Sequence, residues 1–184
     1  MVSENLRVVI SKKMMKEGLL RCLKKRSLDK LSISELCRES QVNRATFYNH
    51  YSSPKEILAE ICWDFAKQIE QIAKDNQKTD TRERLTNCLT YVYDNRDVLL
   101  TLLNTNVGEE ALKANLEAMA YALYQLMDIR SMADLDAEEY ELAKTYYSCA
   151  VLQTIQKWLR KDVNKTPREF AEFLMKLPTR EVYR

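Results

Sequence analysis

The chain reads as a succession of amphipathic helices. Apolar positions recur at three- and four-residue intervals along most of its length, and no segment alternates apolar and polar residues between glycine-containing turns. Met15, Leu19, Cys22 and Leu23 share one stripe of a first helix. Ser32 and Glu35 have the spacing of a capping box, and Ile33, Leu36 and Cys37 form the apolar face of the helix it opens. A short third helix over about 44–51 is predicted after Asn43. Ser53, Pro54 and Glu56 then start a fourth, striped by Ile57, Ile61, Phe65, Ile69 and Ile72. Further helices are predicted over about 81–93, 96–104, 109–128, 136–160 and 167–177, nine in all. The fold class expected is all-α.

Residues 31–51, LSISELCRESQVNRATFYNHY, combine a capped two-turn helix, a break of three to four residues and a second short helix. This is the helix-turn-helix pattern. At 100° per residue, Phe47 and Tyr51 face the core, while Ala45, Thr46 and Asn49 point away. Tyr48 and His50 lie on opposite flanks, and Arg44 sits at the exposed N-terminal end. A helix so arranged suits a major groove, with its centre on base edges and its flanks on phosphates.

Charge supports that placement. The net charge of +2 conceals an asymmetry: residues 1–57 carry 12 Lys/Arg against 6 Asp/Glu, whereas residues 58–184 carry 17 against 21. A basic N-terminal third suits a polyanion.

Composition removes other classes. The 2 glycines, Gly18 and Gly108, stand alone, so a glycine-rich nucleotide loop is excluded. One histidine rules out a multi-His metal site, and the 5 cysteines form no CxxC pair. No metal, cofactor or catalytic residue is expected, and a small helical enzyme is disfavoured. The longest charge-free stretches hold about a dozen residues, short of a membrane span of roughly twenty. The opening MVSENLRVVISKK lacks the long apolar run of a secretory leader, and the expected location is cytoplasmic.

The stretch from Val42 to Tyr51 resembles the DNA-binding signature of the TetR family of bacterial transcriptional regulators. Thr46, Phe47, Tyr48 and His50 match the family pattern residue for residue, and Leu31-Ser32-Ile33 matches the start of its second helix. The resemblance covers about residues 9–62. It departs at Gln41, where the family has a turn glycine, and at Pro54, where it often has a lysine; Lys55 follows. The resemblance implies that Arg44, Ala45 and Asn49 face bases. It implies that Thr46, Tyr48 and His50 contact phosphate or sugar, with Ser32 or Ser34 touching the backbone. Asn43 and Lys55 complete the expected DNA-binding set, with Arg7, Lys12 and Lys13 as a weaker basic arm.

The resemblance further implies a helix-turn-helix domain over 1–52 and an effector-binding and dimerisation domain over 53–184. The last two predicted helices would build a two-fold interface, with candidates Tyr147, Val151, Trp158, Phe170, Phe173, Leu174 and Leu177. The two apolar faces of 136–160 are consistent with one packing inward and the other onto a partner. Candidates for an effector pocket are Cys88, Tyr91, Tyr93, Met119, Tyr121, Tyr124, Met127 and Tyr146, suited to an apolar or aromatic ligand with a polar handle. The function expected is a homodimeric repressor on a palindromic double-stranded operator, released by a small ligand. The alternative is an activator or interaction protein of the same fold, controlled by a protein partner.

Overall fold

A computed structural model describes residues 2–75, 79–104, 120, 123, 135–160 and 163–177, with the side chains of 2–5 and 104 set aside. The described residues form eight α-helices and a short 3-10 turn, with no strand: α1 Val2–Leu23, the turn Leu28–Lys30, α2 Ile33–Ser40, α3 Arg44–Tyr48, α4 Pro54–Asp75, α5 Thr81–Asp94, α6 Arg96–Asn104, α7 Ala137–Leu159 and α8 Pro167–Leu174. The helix expected over 109–128 lies outside the described residues, apart from the buried helical Ala120 and Leu123.

The helix starts follow local chemistry. The Ser32 hydroxyl accepts the Glu35 N–H, and the Glu35 carboxylate receives the Ser32 N–H in return, satisfying two orphan donors. The same reciprocal pair joins Thr166 to Glu169 ahead of α8, and Asp136 to Glu139 ahead of α7. At α4 the Glu56 carboxylate reaches back to the Ser52 N–H at 2.8 Å and to its hydroxyl.

Two helices stop sooner than expected. α3 ends at Tyr48, and the N–H groups of His50 and Tyr51 both donate to the Phe47 carbonyl in a closing turn. That turn still delivers Tyr51 to the core, so the apolar spacing runs past the helix. α8 ends at Leu174, and Leu177 beyond it is exposed.

The chain divides into two compact units, Met1–Asp64 with Thr101–Leu112, and Phe65–Leu100 with Lys113–Arg184. In the first, Met15, Leu19, Leu36, Phe47 and Ile57 are fully buried and gather α1 to α4 around one core. In the second, Leu85, Cys88, Leu89 and Val92 of α5 are buried, as are Val151, Ile155 and Trp158 of α7 and Phe170 and Leu174 of α8. Trp158 stacks on Phe170 with ring centroids 4.2 Å apart, lies 5.3 Å from Tyr93, and donates its Nε1–H to the Lys165 carbonyl at 2.8 Å. All five cysteines are free thiols, four of them buried. Among the described residues no helix is long and apolar enough to cross a membrane, and no group of His, Cys, Asp or Glu is placed to hold a metal.

Candidate nucleic-acid interface

The turn between α2 and α3 is set by one residue. Gln41 adopts φ 56°, ψ 34°, a left-handed conformation that favours glycine. Its N–H donates to the Arg38 and Cys37 carbonyls, and the Val42 N–H donates to the Cys37 carbonyl at 3.0 Å, closing the end of α2. The chain then extends through Asn43, whose side-chain oxygen accepts the Thr46 N–H at 2.7 Å and caps α3. Gln41 thus performs the turn for which the family pattern uses glycine.

α3 and its closing turn bring Phe47 and Tyr51 inward as expected, but Thr46, expected to point away with Ala45 and Asn49, is half-buried, and Tyr48, expected on a flank, is exposed. Arg44, Ala45 and Asn49 are also exposed, and His50 is half-buried. The Tyr48 ring meets Phe47 edge-on at 5.4 Å, and the His50 ring meets Tyr51 at 6.5 Å. The Tyr48 and His50 side chains are therefore oriented by core aromatics. Lys55 is exposed in the first turn of α4.

Two expected backbone contacts have other work. Ser32 uses its hydroxyl in the capping box, donating to Glu35 at 2.8 Å. Hydrogen bonds from the Ser32 N–H and hydroxyl hold the Glu35 carboxyl below its usual range, with Arg26 adding to the effect across a 2.5 Å ion pair. Ser34 accepts a hydrogen bond from the Arg44 guanidinium.

The basic arm is only partly available. Lys12 pairs with Glu60 at 3.0 Å and lies 5.2 Å above the Tyr51 ring, and Lys16 pairs with Glu60 at 2.8 Å and with Asp64 at 2.6 Å. These contacts fasten α1 to the first half of α4. Burial alone would raise the Glu60 pKa; the Lys16 and Lys12 ammonium groups, with the nearby Tyr51 hydroxyl, more than offset this and hold it at about 2. Burial, followed by the approach of its hydroxyl to the Glu60 carboxylate, raises the pKa of Tyr51. Arg7 and Lys13 are exposed.

The remaining candidates separate by burial. Val151, Trp158, Phe170 and Leu174 belong to the second unit's own core and offer no surface to a partner. Tyr147 is half-buried, while Phe173 and Leu177 are exposed. The exposed apolar face of α7 instead carries Leu142 and Tyr146, with Cys149 one turn further, while the partly exposed Tyr140 lies on another side of the helix. Leu142, Tyr146 and Cys149 are at i, i+4 and i+7, a legible face that periodicity alone could not assign inward or outward.

Of the pocket candidates, Cys88 is buried with its thiol toward the Ile69 carbonyl, Tyr91 packs against Phe65 at 5.0 Å, and Tyr93 packs on Trp158. Burial pushes the Cys88 thiol up to about 11. Tyr146 is exposed on α7, away from that core. Met119, Tyr121, Tyr124 and Met127 lie outside the described residues. A recess in the second unit is lined by Asp80, Arg82, Glu83, Thr86 and Arg168, none of them an expected pocket residue.

Comparison with known proteins agrees with this architecture. Residues 17–61 match the family of bacterial regulatory proteins, tetR family. Residues 79–179, more than half of the chain, match the transcriptional regulator C-terminal region. Curated protein sequences give no significant match. Among solved structures, a TetR transcriptional regulator from Streptococcus agalactiae 2603V is 18% identical with a TM-score of 0.72, covering 97% of this chain and 99% of that one. FadR from Bacillus subtilis, solved with stearoyl-CoA, is 13% identical at a TM-score of 0.64, covering 93% and 99%. The dihydroxyacetone kinase operon activator DhaS is 15% identical at a TM-score of 0.55, covering 92% and 94%. At these identities the structures share the fold.

Proposed function

The chain belongs to the TetR family of bacterial transcriptional regulators, and from that membership we propose that it is a homodimeric repressor of a palindromic operator, released by a small ligand. The observation that carries the reading is the surface of α3, where Arg44, Ala45, Tyr48 and Asn49 stand clear of a core anchored by Phe47 and Tyr51. In this reading residues 1–52 form the DNA-binding domain and 53–184 the effector and dimerisation domain. Arg44, Ala45 and Asn49 read bases; Thr46, Tyr48, His50 and Lys55 hold the phosphodiester backbone.

The exposed face of α7, Leu142 and Tyr146, together with Phe173 and Leu177 on the surface, supports a second copy of this chain as partner. Apolar side chains at this spacing leave water when two such faces meet. Two reading heads related by a dyad bind half-sites one DNA turn apart, about 34–36 Å. The ligand class to screen first is a long apolar chain with a charged head, because a neighbour of the same fold carries stearoyl-CoA.

Gel-shift titration against the DNA flanking the protein's own gene tests the reading. Binding that weakens linearly on log–log axes with salt, at about −0.9 per phosphate contacted, supports it. A flat salt response with no site preference contradicts it. Transcription that rises rather than falls on binding replaces repressor with activator, as in DhaS.

A further inference from the structure

We propose that Ser34 is a positioning residue, fixing the Arg44 guanidinium so that it selects a guanine in each operator half-site. This rests on the DNA-binding reading above and names a base preference within it.

Arg44 occupies the first position of α3, immediately after the Asn43 cap, and its Nη2 donates to the Ser34 hydroxyl oxygen on α2. The N-terminal residues of a recognition helix are those that meet base edges. A guanidinium carries five N–H donors in a planar fork, two of them on Nη2, so one bond to Ser34 leaves the second Nη2–H to form a bidentate pair with its neighbour on the same edge, Nη1–H or Nε–H. The base edge that accepts such a pair is guanine, through O6 and N7. An exposed arginine samples many rotamers; a bond to the neighbouring helix removes part of that freedom before DNA arrives, when preorganisation has most effect.

The partner's chemistry is informative. Arg21 is paired with Glu39, Arg26 with Glu35, and Lys16 with Glu60 and Asp64. Those cations are neutralised within the chain. Arg44 has a neutral hydroxyl instead, and no acidic residue lies in the first turn of α3. A cation at a helix N-terminus opposes the helix dipole, so this placement does not serve helix stability. A hydroxyl orients the guanidinium without consuming its charge, which stays available to the electronegative guanine edge. Ser34 keeps its own O–H to donate outward.

The test is selection from a pool of random-sequence DNA duplexes by the full chain. The wild type, Ser34→Ala, Ser34→Thr, Arg44→Ala and Arg44→Lys are run in parallel. The wild type is expected to enrich an inverted repeat with one guanine per half-site that disappears in Arg44→Ala. Ser34→Ala keeps the remaining positions, which reports an intact fold, while its preference for that guanine falls roughly ten-fold. Ser34→Thr, which keeps the hydroxyl, retains the preference, and Arg44→Lys, which loses the fork, does not. An unchanged guanine preference in Ser34→Ala, or a guanine that survives Arg44→Ala, overturns the inference and leaves the regulator reading standing. No enriched sequence with the wild type overturns both.

Discussion

Gly18 on α1 faces Ser40 on α2 so closely that a Cβ at position 18 would lie 2.6 Å from the Ser40 Cβ, 2.9 Å from its Cα and 3.0 Å from its backbone nitrogen. Two of those three atoms are main chain and cannot rotate aside. Ser40 is buried there, its hydroxyl donating to the Leu36 carbonyl at 2.7 Å. The helix-turn-helix is thus built on a direct approach of α1 to α2. Glycine in a helix ordinarily costs about 1 kcal/mol relative to alanine, so Gly18→Ala would be stabilising on propensity alone. Here the clash dominates, and we expect Gly18→Ala to destabilise the chain by about 1–3 kcal/mol in denaturant titration. Equal or greater stability would show that the two helices can separate freely.

Gln41 predicts the opposite sign. Its left-handed conformation costs a non-glycine residue about 1 kcal/mol. Gln41→Gly should raise thermal stability by a few degrees, and Gln41→Val, whose branched Cβ tolerates this region least, should lower it. A stabilising Gln41→Val would mean that the turn is not held left-handed in solution.

The Lys12, Lys16, Glu60 and Asp64 cluster predicts a pH dependence. Glu60 has a folded pKa of about 2 against 4.5 ordinarily, so it binds fewer protons folded than unfolded near pH 3. Its stabilisation is complete above about pH 4.5 and is lost as the pH falls toward 2. Because the pairs are partly exposed, the effect should be about 1–2 kcal/mol at neutral pH. Glu60→Gln should lose that stability at pH 7 and show a shallower decline on acidification. Parallel curves for the two proteins would remove Glu60 from the acid transition.

The two faces of α7 predict different phenotypes. Trp158→Ala removes a ring stacked on Phe170 and should cost about 3–5 kcal/mol in stability. Leu142→Glu, at an exposed position, should leave the unfolding midpoint nearly unchanged while shifting sedimentation from dimer to monomer. A Leu142→Glu protein that still sediments as a dimer would move the interface elsewhere.

The helix succession was legible because caps and stripes are local. The boxes at Ser32 and Thr166 satisfy orphan donors within four residues, and the stripe from Met15 to Leu23 needs only one face to be buried. What periodicity could not decide was which apolar face turns inward. Val151 and Trp158 entered the core while Leu142 and Tyr146 stayed outside, and Trp158 is held there by Tyr93 of α5 and Phe170 of α8. Spacing also overran helix ends at Tyr51 and Leu177, because one further turn preserves the register without the helix. Which side of α3 turns inward was readable from the spacing of Phe47 and Tyr51, while Thr46, placed outward by the same spacing, is half-buried. The Ser34–Arg44 bond was not readable, since it joins residues ten apart across a turn whose geometry depends on Gln41. One signal was available for the α1–α2 approach: Gly18, a lone helical glycine, stands on the apolar stripe.

Whether α3 reads DNA is decided by a footprint of the purified protein across the DNA flanking its own gene, repeated with Tyr48→Ala. Tyr48 is exposed and meets the edge of Phe47, so its truncation should spare the fold. The expected result is a protected inverted repeat, its halves one helical turn apart, that vanishes or weakens by at least ten-fold in the variant. Protection unchanged by Tyr48→Ala, or no protection at low salt, would contradict it.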